Sequence, residues 1–206
     1  MFYRIKTEVI KRDEIEFDCG RWAREISKEF RPDLIIFIAK SGFLFAKPLS
    51  DYWNCRLAEI SASRPSNKKK DDAGKLIKAV PTFVVLWLLK NPLNYFFHDK
   101  HDKRDIICSY SYKKAQKDGA DKILIVDDSV DTGWTMDCVY RQIKRDFKHA
   151  EVKTASYSVI QFSKKRININ YYRKEDTIAL TATSRKSDEY EKFLSDLDQW
   201  RAINNI

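Results

Sequence analysis

A chain of 206 residues suits a single domain, and its 43% hydrophobic and 13% aromatic content is enough for a sizeable core, which excludes global disorder. Thirty-nine basic against 30 acidic residues leave a formal charge of +9. That balance favours anionic partners without choosing among nucleotides, phosphates, nucleic acid and a membrane surface. Cys19, Cys55, Cys108 and Cys138 form no C-x-x-C pair and no zinc-ligand spacing, and the opening MFYRIKTEVIKRDE carries no apolar signal core. A reducing, cytoplasmic setting is the expectation.

Residues 1–12 alternate weakly and predict an edge strand. EIEFDCGRWAREISKEF (14–30) sets Ile15, Trp22, Ile26 and Phe30 at helical spacing, and RPD stops it. LIIFIA (34–39) is a short continuous apolar run, the pattern of a strand buried on both faces. After KSG, FLFAKPLSDYW (43–53) returns to a helical pattern, weakened at Pro48. CRLAEIS (55–61) predicts a second strand, and SASRPSNKKKDDAG (61–74) a mobile loop.

KLIKAVPTFVVLWLLKNPLNYFFHDK (75–100) is apolar and aromatic, yet Pro81, Lys90, Asn91 and Pro92 interrupt it. Its longest apolar run, Phe83 to Leu89, is far short of the roughly 20 residues that span a bilayer. It predicts a helical insertion lying on the domain, at a dimer surface or, alternatively, against a membrane face. His98 and His101 are three apart and could share a helical face as metal ligands, but no third ligand accompanies them.

IICSYSY (106–112) predicts a returning strand, KDGADK (117–122) a turn, ILIVDD (123–128) a third apolar strand and GWTMDCVYRQIKRDF (133–147) a helix. VKTASYSVIQF (152–162) predicts a further strand, TIALTAT (177–183) a short one, and DEYEKFLSDLDQW a terminal helix. The alternation gives an α/β fold: a doubly wound, mostly parallel sheet flanked by helices, in one domain over 1–206. Ligands of such sheets bind beyond the carboxyl ends of the strands.

That rule directs attention to DDSVDTGWT, which follows the strand 123–126. Asp127 and Asp128 are adjacent at a strand end and can accept hydrogen bonds from vicinal hydroxyls or hold a hydrated Mg²⁺, which prefers oxygen ligands. Asp131, Thr132, Gly133, Trp134 and Thr135 form a turn opening a helix, where free backbone N–H groups bind phosphate. A helix cap alone needs one such residue, not three aspartates and two threonines.

VDDSVDTGWT closely resembles the phosphoribosyl-pyrophosphate (PRPP) signature of type I phosphoribosyltransferases. PDLIIFIAKSGFLFAKPLSDYW is similar to that family's first strand, pyrophosphate loop and following helix, and SVIQFSKKRININYYRKEDTIAL looks like the base-binding hood of its purine-salvage branch, placing hood and terminal helix in 162–206. The resemblance implies that Asp127 and Asp128 hold the ribose hydroxyls and Mg²⁺, and that Asp131 to Thr135 cradle the 5′-phosphate. It implies that Asp131 helps deprotonate the acceptor, and that Lys40, Ser41 and Gly42 face the leaving diphosphate. Lys164 and Lys165, with Tyr171 or Tyr172, are the nearest matches to residues that read a base. Arg64 and Lys68 to Lys70 sit where the family keeps its catalytic loop.

The implied activity is Mg²⁺-dependent transfer of the 5-phosphoribosyl group from PRPP to a purine base or related acceptor, by a homodimer. The hood departs from the family pattern: Ile169-Asn170 precede the tyrosines where the branch has Pro-Asp, and TATSRKSDEY replaces a Trp-containing strand end. Two alternatives follow, a non-catalytic PRPP- or nucleotide-binding regulator and a related enzyme with a non-nucleobase acceptor. Basic residues spread along the chain without an aromatic-basic RNA motif, so nucleic acid is not the expected partner.

Overall fold

The five residues of β2 (Leu34–Ile38) are all buried, and alternate side chains supply the two halves of the core. Ile35 and Phe37 join one apolar cluster, whereas Leu34, Ile36 and Ile38 join the other. This strand is central to the sheet in the computed structural model, which describes residues 5–63 and 104–204. The polar loop from residue 64 onward, the apolar segment 75–100, and His98 with His101 lie outside the described residues.

Around β2 are α1 (Arg12–Ile26), α2 (Phe43–Trp53), β3 (Arg56–Ser63), β4 (Asp105–Cys108), α3 (Tyr110–Asp118), β5 (Lys122–Val130), α4 (Trp134–Asp146), β6 (Glu151–Val159), β7 (Tyr171–Glu175), β8 (Thr177–Leu180) and α5 (Tyr190–Ile203). Six strands form one sheet in the order β4-β3-β2-β5-β6-β7, parallel except for the β3–β4 edge pair. Trp22, Phe45, Leu49, Phe193 and Leu197 bring α1, α2 and α5 onto one face; Tyr112, Val139 and Ile143 bring α3 and α4 onto the other. The expected doubly wound, mostly parallel α/β sheet is the observed one.

β1 (Lys6–Val9), expected as an edge strand, stands apart from the main sheet. It pairs in parallel with β8, from Lys6 opposite Thr177 to Val9 opposite Leu180. Helix α2 runs through Pro48 and ends at Asn54, which takes the left-handed conformation at φ 48°.

One segment reverses its expected form. Residues 106–112 read as a strand, but β4 stops at Cys108 and SYSY opens helix α3. Ser109 is the reason: its hydroxyl accepts the Tyr112 N–H at 3.2 Å as an N-terminal cap and donates to the Glu59 carbonyl at 2.6 Å. The strand expected over 152–162 likewise stops at Val159, and a short 3-10 helix, Gln161–Lys165, follows.

Candidate phosphosugar site

β2 and β5 are hydrogen-bonded neighbours, with Phe37 opposite Val126, so their C-terminal ends open side by side. The loop leaving β2 is Ala39 to Gly42. The Ala39–Lys40 peptide is cis, the Gly42 N–H donates to the Ile38 carbonyl at 3.1 Å, and the Phe43 N–H donates to the Lys40 carbonyl at 3.1 Å. A β-carbon on Gly42 would stand 2.7 Å from the Val126 carbonyl oxygen, so only glycine lets this loop lie directly on β5. Lys40 is exposed at the mouth.

β5 carries Asp127 and Asp128 before it ends. Asp127 is buried and Asp128 half-buried. The Asp127 carboxylate accepts the Asp128 N–H at 3.0 Å, and the Asp128 carboxylate accepts the Ser129 N–H at 2.8 Å. Burial, and then the Asp128 charge, hold the Asp127 carboxyl well above the usual carboxylate range. Burial raises Asp128 too, opposed by Asp127, by the Ser129 N–H and, to a lesser extent, by the nearby Ser41 side chain.

Past β5, Asp131 is exposed, and Thr132, Trp134 and Thr135 are half-buried. Gly133 turns the chain at φ 79° and caps α4, its carbonyl taking the Asp137 N–H at 2.9 Å. The first N–H groups of a helix lack partners within it, so this turn offers amide donors to an anion. The sequence-derived residues of the two loops therefore meet at one mouth: Lys40, Ser41 and Gly42 from the first, Asp127 to Thr135 from the second.

The residues expected to read an acceptor behave differently. Tyr171 and Tyr172 are consecutive in β7 and face opposite sides of the sheet. Tyr171 packs on the α1–α2–α5 core, while Tyr172 lies under Lys164, whose ammonium is 4.4 Å from the ring centroid. Lys164 also reaches Glu175 at 2.5 Å and the Tyr172 hydroxyl at 2.9 Å, contacts that raise its pKa. Lys165 is exposed. Lys164 and Tyr172 are thus brought together, and Tyr171 is not.

The two aspartates present hard oxygen ligands, and their raised affinity for protons marks a place where a cation or hydroxyl donors would relieve crowded negative charge. Among the described residues no cluster of three His, Cys, Asp or Glu side chains could cage a metal alone. Mg²⁺ binds through one or two carboxylates together with substrate phosphates, and Asp127 and Asp128 are the adjacent carboxylates that would hold it here. A cavity of about 590 Å³ lies elsewhere, behind the first loop, between α1, α2 and α5, with Phe43, Leu44, Phe193 and Trp200 in its wall.

A mostly parallel sheet with a diacid strand end, a glycine turn opening a helix and a backbone-packed loop at one mouth defines an α/β protein of the class whose ligands bind beyond the carboxyl ends of the strands. Within that class, the family model described as "Phosphoribosyl transferase domain" matches residues 7–177, and the chain belongs to that family. No curated protein sequence matches it. Among solved structures, a purine phosphoribosyltransferase from Pyrococcus horikoshii aligns at 17% identity and TM-score 0.55, over 85% of this chain and 92% of that one. A Helicobacter pylori xanthine-guanine-hypoxanthine phosphoribosyltransferase aligns at 12% identity and TM-score 0.56, over 94% and 99%. A hypothetical protein from Neisseria gonorrhoeae, solved with bound ppGpp, aligns at 14% and 0.59, over 94% and 98%. At these identities the likeness concerns the fold. No helix of the described residues is long and apolar enough to cross a membrane.

Two features escaped the sequence reading. Arg166 lies over the turn at Gly133, its guanidinium carbon 3.5 Å from the centroid of the Trp134 ring. Ser41, expected to face the diphosphate, also lies near enough to Asp128 to favour its charged form. Neither contact has a local signal, because each joins residues far apart in the chain.

Proposed function

We propose that the protein transfers the 5-phosphoribosyl group from PRPP to a purine base or related acceptor, releasing pyrophosphate. The observation that carries this reading is the seating of the Lys40–Gly42 loop on β5, where a β-carbon on Gly42 would stand 2.7 Å from the Val126 carbonyl oxygen. It supports one continuous subsite for diphosphate, ribose diol and 5′-phosphate. Asp127 and Asp128 accept the two ribose hydroxyls, and the 131–135 turn binds the 5′-phosphate through its amides and threonine hydroxyls. The C1–oxygen bond to pyrophosphate breaks as a C1–nitrogen bond to the acceptor forms. Lys40 and the amides of its loop stabilise the negative charge that develops on the departing diphosphate. Asp131 takes the proton released by the acceptor nitrogen. Mg²⁺, held by Asp127 and Asp128 together with substrate oxygens, would supply charge neutralisation at the diphosphate.

Calorimetric titration with PRPP, with and without Mg²⁺, tests the reading. A screen of hypoxanthine, guanine, xanthine, adenine, orotate and uracil for pyrophosphate release follows. Mg²⁺-dependent binding with release for one base is expected. The D127A/D128A variant is expected to be inactive, and unchanged turnover there would overturn the site assignment. A second reading draws on the commitment of Lys164 to Glu175 and on the ppGpp bound to the Neisseria neighbour: the chain binds a nucleotide as a regulator. Tight ppGpp binding with no pyrophosphate release for any acceptor would favour it.

A further inference from the structure

The connection between β6 and β7 passes over the phosphate turn and closes it from above. A β-carbon on Gly133 would meet Ile167 Cγ2 at 3.1 Å and the Ser163 carbonyl at 3.2 Å. Ser163 is fully buried, and its hydroxyl donates to the Ile160 carbonyl at 2.8 Å, fixing the 3-10 helix that carries this roof. From the same roof, Arg166 grips the turn on both sides of Gly133. Its Nη1 donates to the Thr132 carbonyl at 3.0 Å, and its planar head stacks on Trp134 at 3.5 Å.

The direction of that hydrogen bond matters. The Thr132–Gly133 peptide is trans, so its C=O and N–H point opposite ways. Drawing the Thr132 carbonyl up to Arg166 aims the Gly133 N–H away from the roof. The stack on Trp134 fixes the next residue, whose own N–H belongs to the orphan set at the start of α4. An anion site made of amides is strong only when the amides are already aligned, because realignment on binding costs affinity.

We propose that Arg166 is a positioning residue that pre-aligns the amides of the 132–135 turn and so sets the affinity for a 5′-phosphate. The inference rests on the phosphosugar reading of Asp127 to Thr135. It also makes the phosphate turn one mechanical unit with the connection that bears Lys164 and Lys165.

The test uses two ligands that separate the subsites: ribose 5-phosphate for the turn, and Mg²⁺-pyrophosphate for the Lys40–Gly42 loop. R166A is expected to bind ribose 5-phosphate about 10-fold more weakly, equivalent to about 1.4 kcal/mol. Its affinity for Mg²⁺-pyrophosphate should stay within about twofold of wild type, since that loop has no part in the grip. R166K keeps the charge but lacks the planar fork, and should recover less than half of the loss on a logarithmic scale. Wild-type affinity for ribose 5-phosphate in R166A overturns the proposal. So does an equal loss for both ligands, which marks a general folding defect, and so does full rescue by R166K, which marks charge alone. Failure of the wild-type protein to bind ribose 5-phosphate overturns the phosphosugar reading itself, and is seen before any variant is made.

Discussion

Gly42→Ala isolates what the seating of the first loop contributes. The added β-carbon would lie 2.7 Å from the Val126 carbonyl oxygen, 2.8 Å from the Ile38 carbonyl oxygen and 3.1 Å from the Ile38 nitrogen. Comfortable non-bonded contact begins near ~3.5 Å. All three atoms are backbone of β2 and β5, the buried centre of the sheet, so the loop must give way by roughly 0.5–1 Å. Overpacking of this kind costs about 1–3 kcal/mol, or roughly 2–12 °C in Tm for a chain of this size. A shift of that size also misplaces the donors around a diphosphate, for which about 100-fold in affinity is a fair scale. Thermal unfolding and calorimetry with Mg²⁺-pyrophosphate read the two effects separately. A G42A protein with wild-type Tm and undiminished pyrophosphate affinity would refute the reasoning, since it would mean that the loop does not rest on β5.

Asp127 should make the site expensive to the fold. Because its folded pKa is raised, its contribution to stability is complete below about pH 4 and is lost as pH rises through the folded value. D127N should therefore gain on wild type by a few degrees in Tm towards neutral pH, about 2–4 °C per kcal/mol, while losing PRPP binding; a difference that shrinks with rising pH would contradict this. Arg201 pairs with the buried Glu59 through bonds of 2.9 and 2.5 Å, tying α5 to β3. R201A should cost about 3 kcal/mol by stranding that carboxylate, with E59M/R201M recovering most of it in urea titrations. Burial pushes the Cys19 thiol up to about 12, so at pH 8 iodoacetamide should leave Cys19 unmodified in the folded protein and alkylate it after unfolding, as read by peptide mass spectrometry.

The strands that hold the site were legible because burial on both faces demands uninterrupted apolar runs, as in LIIFI and ILIV. The diacid and glycine turn were legible because Asp, Thr and Gly in that order have few other physical uses at a strand end. SYSY at 109–112 misled because its residue types suit strands, while the deciding contact, Ser109 on the Glu59 carbonyl, crosses the sheet from β3. The cue present was a cap residue before the charged run KKAQKD. Arg166 reads as one more surface cation until the Thr132 carbonyl, 34 residues away, arrives beneath it. Tyr171 and Tyr172 could be separated by the strand period alone, once their segment is known to be β7.

The parallel pairing of β1 with β8 carries a consequence for the order of assembly. Lys6 donates its N–H to the Asp176 carbonyl at 2.9 Å, and Ile10 donates to the Leu180 carbonyl at 2.9 Å. β1 therefore finds its partner only once residues 177–180 have been made. Until then its backbone donors and acceptors must be met by water. Closing so long a loop is slow relative to neighbouring contacts, so β1 docks after the central sheet has formed. A nascent chain stopped before residue 177 can build the strands around Asp127 and Asp128 but leaves β1 without its partner, so protection of β1 from proteases reports that synthesis has passed β8.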